Sequence, residues 1–432
     1  MDTGTHSAAG ASSAPEDDPA LIGAIRADDP GLVKRLLLEG ADPAVRDTHG
    51  TPAFCLAVGM RSGTVAQLLL TYGADPGRCE GPPLPLREAV DSGSPALLEA
   101  LLDDGGRDRY PVSEMAEATD LARHWHETGV ERELRRRTGS QGAVACVRVQ
   151  DDEFTCVDAY SLGGVTVRDG HAAILTRLEE LLGVHAPFGE LMGRALSRPE
   201  QDHSVWASAT ILLGNRGDQE TWAPAAALRT HPDPVHRLFG AEVMRLTHLF
   251  DAGDEDAFAG PVLDMFVDWS AEETDSAVLG EILVGIGEHA GPRATEALLP
   301  HAGHHDERVR RAVAHGFSAW PSPPVFSAAV RQVLLELMRD PAPSVRWYAC
   351  LTVADGRDRE PALADAMAAL LDDADRRVRL SAVYGLARHD DGRCVEAARR
   401  LGPHRAGHAD EERYLDEVRL HEWRRREAEG VQ

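Results

Sequence analysis

The chain has 432 residues and a formal net charge of −26, with 71 acidic against 45 basic side chains. A chain of this length does not fit one compact core, so we expect several domains or an extended array. The acidic excess is spread along the chain, which argues against nucleic acid and anionic membranes as partners because both require clustered cations.

Residues 1–17 are small and polar and lack the basic start and apolar run of a signal peptide, so they predict a disordered tail. No segment contains the roughly 20 apolar residues that a membrane span needs. The six cysteines are scattered without Cys-x-x-Cys spacing, which predicts reduced thiols. We therefore expect a cytoplasmic protein with no membrane partner.

Residues 18–138 repeat a pattern of two short helices. Gly40, Gly73 and Gly106 recur at intervals of 33 residues, and each is expected to end the second helix of its unit. A unit this small cannot bury its apolar face alone, so units of constant length are expected to stack. The predicted core leucines are Leu36, Leu37, Leu68, Leu69, Leu98 and Leu101.

The segment "TPAFCLAV" at 51–58 and the two "GADP" turns resemble the ankyrin repeat. The resemblance implies exposed hairpin tips between the helix pairs, which are the contact positions of such arrays. The partner-binding residues predicted there are Arg46, Asp47, His49, Arg78 and Glu80.

Residues 139–197 interrupt the helical pattern. The segments "AVACVRVQ" and "EFTCVDAY" alternate and are β-branched, "GGVTVRDG" adds a short third strand that ends in a turn, and an amphipathic helix is predicted from His171. We interpret this part as a small α+β segment. It is either a recognition element or a linker that seals exposed array ends, and we favour the linker.

Residues 198–405 carry a second pattern, in which Asp precedes a Val-Arg pair. The copies are "DERVRRAVAHGF" at 306–317, "DPAPSVRWYACLTV" at 340–353 and "DADRRVRLSAVYGLA" at 373–387. They resemble HEAT repeats of the short bacterial kind. The resemblance implies a ladder in which Arg310, Arg346 and Arg379 bridge to an Asp of the neighbouring repeat. Trp206 and His236 occupy that position in earlier, looser copies.

Helical phase predicts which side chains of this array are exposed. Burial of Val309, Ala312, Val313 and Phe317 leaves an opposite face that is a candidate contact site. Its members are Arg311, His315, Trp347, Leu351, Leu380 and Tyr384. The alternative is that a terminal helix at 406–432 folds back and covers them.

No nucleophile, phosphate-binding loop or metal-ligand spacing emerges from the sequence, so catalytic, cofactor and metal sites are predicted to be absent. The cluster of His301, His304, His305 and Asp306 is interpreted as a solvated turn. The sequence thus predicts a mostly all-α double solenoid that acts as a non-catalytic scaffold for a protein partner, which its charge suggests is basic. The alternative function is a HEAT-fold enzyme, similar to a DNA glycosylase or a lyase.

Overall fold

The computed structural model of the chain describes residues 19–79, 85–102, 106–250, 257–318, 325–403 and 409–430. The described residues form 23 α-helices and one three-stranded sheet, which confirms the mostly all-α fold class with a small α+β segment. The chain divides into two compact units, Met1–Ala209 and Thr210–Gln432. No helix in the described ranges is both long and apolar enough to cross a membrane. The tail predicted at 1–17 lies outside those ranges, and the domain boundaries drawn from the sequence stay predictions.

The first unit consists of four successive helix pairs, then the sheet and further helices. Its elements are α1 (Pro19–Arg26), α2 (Pro30–Leu38), α3 (Ala53–Gly59), α4 (Gly63–Thr71), α5 (Pro85–Ser92), α6 (Pro95–Leu102), α7 (Val112–Thr128), α8 (Val130–Thr138), β1 (Ala145–Gln150), β2 (Cys156–Leu162), β3 (Val165–Arg168), α9 (His171–Leu181) and α10 (Phe188–Leu196). Helix α11 (Ser204–Arg216) crosses the boundary between the units.

The second helix of each of the first three pairs begins at a side-chain cap that recurs with the repeat. Asp29, Ser62 and Ser94 each accept a hydrogen bond from the backbone amide three residues later, at 2.9, 3.4 and 3.4 Å. These caps satisfy amides that the helices themselves leave without a partner. Because the caps fall at the same place in each pair, the regular spacing of the sequence corresponds to a regular stack of helices.

Gly40 and Gly73 end helices α2 and α4 in the same way. Their φ angles are 100° and 98°, and each glycine donates its amide to the carbonyl three residues earlier. Side chains are disfavoured at such φ angles, so glycine is the residue that can stop both helices. Gly106 begins a 3-10 turn, and the three residues before it lie outside the described ranges. The predicted helix stop at Gly106 therefore stays a prediction.

The apolar positions of these pairs form one core, as predicted. Leu37, Leu69, Leu98 and Leu101 are buried, and Leu36 and Leu68 are half-buried against the same core. The core also contains the recurring pairs Ala24-Ile25, Ala57-Val58 and Ala89-Val90, together with Ala122. A helical repeat fold is thereby confirmed, whereas its ankyrin-like type stays a proposal.

The α+β segment packs onto the end of this stack. Its strands are antiparallel in the order β1-β2-β3. The buried carboxylate of Asp151, just after β1, accepts hydrogen bonds from the Ser94 hydroxyl and the Ala96 amide, both at 2.7 Å, and from Arg168 at 2.8 Å. Helix α9 adds Ile174 to the core of the helix pairs. These contacts support the sealing role that we favour from the sequence.

A disulfide joins Cys55 in α3 to Cys79, with the two Cα atoms 5.7 Å apart. The prediction of six reduced thiols is wrong for this pair. The two cysteines are 24 residues apart in sequence, and the fold of the helix pair between them brings them together. Four cysteines are free, namely Cys146, Cys156, Cys350 and Cys394. Disulfides persist mainly in oxidising compartments, so the cysteines no longer support a cytoplasmic location, which stays a prediction.

The second unit consists of helix pairs throughout. Its helices are α12 (Gln219–Ala227), α13 (Pro234–Leu249), α14 (Ala259–Ser270), α15 (Ser276–Gly287), α16 (Pro292–Leu298), α17 (Glu307–Gly316), α18 (Ala328–Leu337), α19 (Pro343–Asp355), α20 (Pro361–Ala369), α21 (Arg376–Arg388), α22 (Arg393–Leu401) and α23 (Ala409–Gly430). Helices α13, α15, α17, α19, α21 and α23 pack on one another in that order. We call these six the inner helices.

The inner helices pack closely because their facing positions are apolar or small. Val309, Ala312, Val313 and Phe317 of the α17 repeat are buried, as helical phase predicted. A Cβ added at Gly287 of α15 would lie 2.3 Å from the Cα of Gly316 in α17, so only glycine permits this approach of the two backbones.

The predicted ladder of arginine and aspartate is present between successive inner helices. Arg310 forms two hydrogen bonds to Asp340, at 2.6 and 2.9 Å, and Arg346 forms two to Asp373, both at 2.8 Å. Arg379 differs: its guanidinium contacts backbone carbonyls, and it makes no ion pair with any described carboxylate. The ladder is therefore confirmed at two of its three predicted positions.

An earlier rung of the ladder lies one residue from where we expected it. Arg237, and not His236, makes a two-bond pair with Glu273, at 2.9 and 2.8 Å. The next repeat lacks both partners, because Leu279 stands at the donor position and His304 at the corresponding acceptor position. In this repeat the donor and the acceptor are thus both missing.

Candidate partner-binding site on the inner helices

A pocket lies among helices α17, α19 and α21 of the second unit. Its volume is about 260 Å³. Its lining residues are Arg311, Pro343, Ser344, Trp347, Tyr348, Asp375 and Arg377. We call it the Trp347 pocket. It contains Arg311 and Trp347 from the contact face predicted by helical phase.

Aromatic and cationic side chains are stacked in this pocket. The guanidinium carbon of Arg377 lies 4.2 Å from the centre of the Trp347 ring, within the range of a cation–π interaction. The Tyr348 ring lies edge-on to the rings of Trp347 and His315, with 4.5 Å and 5.2 Å between the ring centres. These contacts hold the rings in fixed orientations at the pocket and its rim.

The two arginines of the pocket form no ion pair with a described residue. Within the described ranges, no carboxylate oxygen lies within 4.0 Å of a guanidinium nitrogen of Arg311 or Arg377. Their neighbours Arg310 and Arg346 are both fully engaged in the ladder. In a chain with net charge −26, the pocket is a local site of positive charge.

The Trp347 indole nitrogen is also unpartnered. It is buried and has no hydrogen-bond acceptor among the described residues. A buried donor without an acceptor costs about 1–3 kcal/mol, which the packing around the ring must offset. Asp375 is the one carboxylate of the pocket, and its Oδ1 already accepts from the amides of Arg377 and Val378 at the start of α21.

The ring of His315 at the rim is held in its neutral form. Partial burial of the ring lowers the pKa of His315, and the positive charges of Arg245 and Arg311 lower it further. Arg245 itself pairs with Glu281 at 2.5 Å and with Glu288 at 2.7 Å. Arg245 is thus paired with two carboxylates, in contrast to the arginines of the Trp347 pocket.

Leu380 and Tyr384, predicted as contact residues, are buried instead. Helix α23 covers them with Tyr414 and Leu415, and half-buried Leu351 packs against the same cluster. The alternative in which the terminal helix folds back is correct for these positions. The prediction of an exposed contact at Leu380 and Tyr384 is wrong because the apolar stripe of α21 is a packing surface for α23.

Sequence reasoning missed Ser344, Tyr348 and Arg377. Arg377 stands two residues after its helix cap, where a side chain commonly folds back onto the cap. Arg308 does so, with a contact of 2.8 Å to Asp306. The stacking of Arg377 on Trp347 depends on the neighbouring helix, and no local pattern in the sequence indicates it.

The contact positions predicted in the first unit have different environments. His49 is exposed and Arg46 is half-buried, with its guanidinium donating to the Gly50 carbonyl at 2.7 Å. Asp47 is buried and accepts from the amides of His49 and Thr51 and from Arg26. Asp47 is therefore a turn-bracing residue, and its assignment as a contact is wrong. Glu80 and the side chain of Arg78 lie outside the described residues.

One group of metal-type ligands was found in the described part of the chain, Asp158, Asp169 and His203. The His203 ring accepts from the Val205 amide through Nδ1 at 3.1 Å, so Nε2 carries the proton and donates to Asp169. Arg198 contacts the second oxygen of Asp169 at 2.5 Å. Because the donor atoms of Asp169 and His203 are engaged, this group is a closed hydrogen-bond network.

The histidine turn before α17 is also structural. The His304 ring accepts from the Asp306 amide at 3.1 Å, and Asp306 caps α17 by accepting from the Arg308 amide at 2.9 Å. Arg310 donates to the carbonyls of His304 and His305. These bonds fix the loop as the start of a repeat helix, in agreement with its interpretation as a turn.

No known protein family matches the chain, and no curated protein matches it. Among solved structures, the X-ray structure of YibA from Escherichia coli is similar over 54% of this chain and 92% of that chain, with 17% identity and a TM-score of 0.39. The crystal structure of a Kap121p mutant is similar over 93% of this chain, which spans 43% of that chain, with 11% identity and a TM-score of 0.30. At these scores the likenesses carry no argument about function.

Proposed function

We propose that the chain is a non-catalytic repeat scaffold that binds a protein partner, and that the Trp347 pocket is the principal contact site of the second unit. Tryptophan, tyrosine and arginine are the residues most often responsible for binding energy at protein interfaces. The observation that carries the proposal is that Arg311 and Arg377, which form no ion pair with any described carboxylate, line one pocket together with Trp347 and Tyr348.

The experiment is affinity capture from native lysate with the full-length protein, followed by quantitative mass spectrometry. We expect the Trp347→Ala variant to lose the captured partner. The Arg339→Ala variant is the matched control, because Arg339 is exposed on the same unit, forms no ion pair with a described residue and does not line the pocket. Circular dichroism verifies that both variants fold. An unchanged partner set with Trp347→Ala would contradict the proposal.

The exposed His49 and the half-buried Arg46 are proposed as secondary contacts of the first unit. A basic partner suits the net charge of the whole chain, because an acidic surface attracts cationic proteins over a distance. That expectation concerns the surface as a whole. The local charge of the Trp347 pocket is opposite in sign.

A base-excising enzyme is the second candidate, because one pocket contains a tryptophan, two arginines and a carboxylate. The role of Asp375 as a helix cap and the small number of cations argue against it, since polyanion binding requires a longer basic track. Anisotropy titration of fluorescent single-stranded and duplex DNA at low salt tests it. Binding that Arg377→Gln abolishes would favour the enzyme over the scaffold.

A further inference from the structure

We infer that the Trp347 pocket recognises an acidic peptide segment of the partner, with one carboxylate received by the guanidinium groups of Arg311 and Arg377. This inference rests on the proposed function and specifies the chemistry of the partner. It differs from the expectation drawn from net charge, because the side chains of the pocket and not the average over the surface determine which group fits there.

The pocket is rich in hydrogen-bond donors. The guanidinium groups of Arg311 and Arg377 can only donate, and the hydroxyls of Ser344 and Tyr348, which make no hydrogen bond to a described residue, can donate as well. The single carboxylate, on Asp375, is turned to the amides that begin α21. A complementary ligand must therefore supply acceptors, and a carboxylate supplies about four acceptor positions on two oxygens.

Stacking leaves the Arg377 donors available. A guanidinium group that lies over an aromatic ring uses its flat face, while its N–H bonds point outward in the plane. Those in-plane donors are the ones that form paired hydrogen bonds with a carboxylate. Trp347 thus holds Arg377 away from its own cap residue, unlike Arg308, which is neutralised by Asp306.

A peptide fits the pocket better than a nucleic acid. The two arginines of the pocket can neutralise one or two negative charges, whereas a polyanion needs a longer track of cations than this pocket offers. The rings of Trp347 and Tyr348 offer apolar area to the residues that flank the carboxylate in a peptide. A volume of about 260 Å³ holds one side chain and part of its neighbour, which is the scale of a short recognition segment.

The test is fluorescence anisotropy with the full-length protein and a fluorescein-labelled decapeptide of Glu, Leu and Gly. The matched probes have Gln or Lys in place of every Glu. We expect the Glu peptide to bind at least about tenfold more tightly than the Gln peptide, because a hydrogen bond to a charged group contributes more than a neutral one. Arg377→Gln and Arg311→Gln should each weaken the Glu peptide about tenfold, Arg377→Lys should weaken it less, and Arg339→Gln should leave it unchanged.

Equal binding of the Glu and Gln peptides, or an equal loss with Arg339→Gln, would overturn the inference. So would displacement of the Glu peptide by inorganic phosphate at the same concentration, which would define a simple anion site, or tighter competition by a single-stranded oligonucleotide. The outcome is separable from that of the proposed function. If Trp347→Ala loses the lysate partner while the Glu peptide never binds, the scaffold proposal stands and the acidic recognition is wrong.

Discussion

The pair of Arg346 and Asp373 is the best place to test whether the ladder stabilises the second unit. Two hydrogen bonds of 2.8 Å join the side chains, which are 15% and 9% exposed. The same guanidinium donates to the carbonyls of Asp340 and Pro341 at 2.8 and 3.0 Å. The perturbation is Asp373→Ala, which leaves the positive charge of Arg346 in place without its carboxylate.

We expect Asp373→Ala to lower the local free energy of unfolding by about 2–3 kcal/mol. Hydrogen bonds to charged groups contribute about 1.5–3 kcal/mol, and breaking a fully buried pair costs about 3–5 kcal/mol. Because both side chains are partly exposed, we expect a loss below that of a fully buried pair. Arg346→Ala should cost about 2 kcal/mol, and the double variant less than the sum, because the second change removes a group that the first has already left unpaired.

The acid dependence of this stability follows from the pKa of Asp373. Burial raises that pKa, but hydrogen bonds from Arg346 and from the Asp375 amide lower it more, so the net shift is downward. A carboxyl whose pKa is lowered in the folded state stabilises the fold above its ordinary pKa, near 4. That contribution is lost as the pH falls through the folded-state value. Asp373→Ala should therefore flatten the acid limb of the stability profile.

The assay is hydrogen exchange of the full-length protein by mass spectrometry at neutral pH. A loss of 2–3 kcal/mol corresponds to exchange about 30- to 150-fold faster in peptides from α19 and α21, with α13 unchanged. Asp372→Ala is the matched control, because the adjacent Asp372 is 88% exposed and its contact to Arg400 measures 3.5 Å. If Asp373→Ala accelerates exchange no more than Asp372→Ala, the ladder does not stabilise the stack.

Further predictions concern the first unit and the terminal helix. Cys55→Ser should lower the free energy of unfolding of the first unit by about 3 kcal/mol in chemical denaturation, because the unfolded chain regains the entropy of a loop closed over 24 residues. Dithiothreitol should have the same effect on the wild type and none on the variant. Gly73→Ala should lower the free energy of unfolding by about 1 kcal/mol in the same assay. A Cβ at this site would meet no other atom, but the φ angle of 98° is unfavourable for alanine. Hydrogen bonds from Arg136 and Arg137 lower the pKa of Glu133 to about 2. Glu133→Gln should therefore lower the free energy of unfolding by up to about 3 kcal/mol above pH 4.5, and this loss should fade as the pH falls towards 2. Truncation after residue 405 should destabilise the second unit and raise the binding of an apolar dye, and unchanged dye binding would contradict the capping role of α23.

The regular features of the fold were predictable because each repeat carries its own local signals. A cap such as Asp29 or Ser62 and a stop such as Gly40 or Gly73 act within one helix, so their spacing in the sequence is also their spacing in the structure. The buried face of α17 follows from the period of 3.6 residues in the same way.

Features that depend on contacts between distant residues were predicted less well. The disulfide of Cys55 and Cys79 depends on how the chain returns after α4, which the cysteine spacing does not reveal. The rung at Arg237 was misplaced because aligning the repeats by valine, and not by the helix cap, shifts the register by one residue. The cap is the more reliable reference, because donor positions are fixed by their distance from the start of the helix.

Counting from the cap also explains where the candidate site lies. Arg311, Trp347 and Leu380 each stand five residues after the cap of their helix, so they occupy equivalent positions on adjacent inner helices. The ladder uses the position before them, which commits Arg310 and Arg346 to stacking and leaves the fifth position available for a ligand. At Leu380 that position is covered by α23. The terminal helix therefore removes the α21 position from this face, and the fifth positions that remain for a ligand are those of Arg311 and Trp347, where charge as well as apolar area selects the ligand.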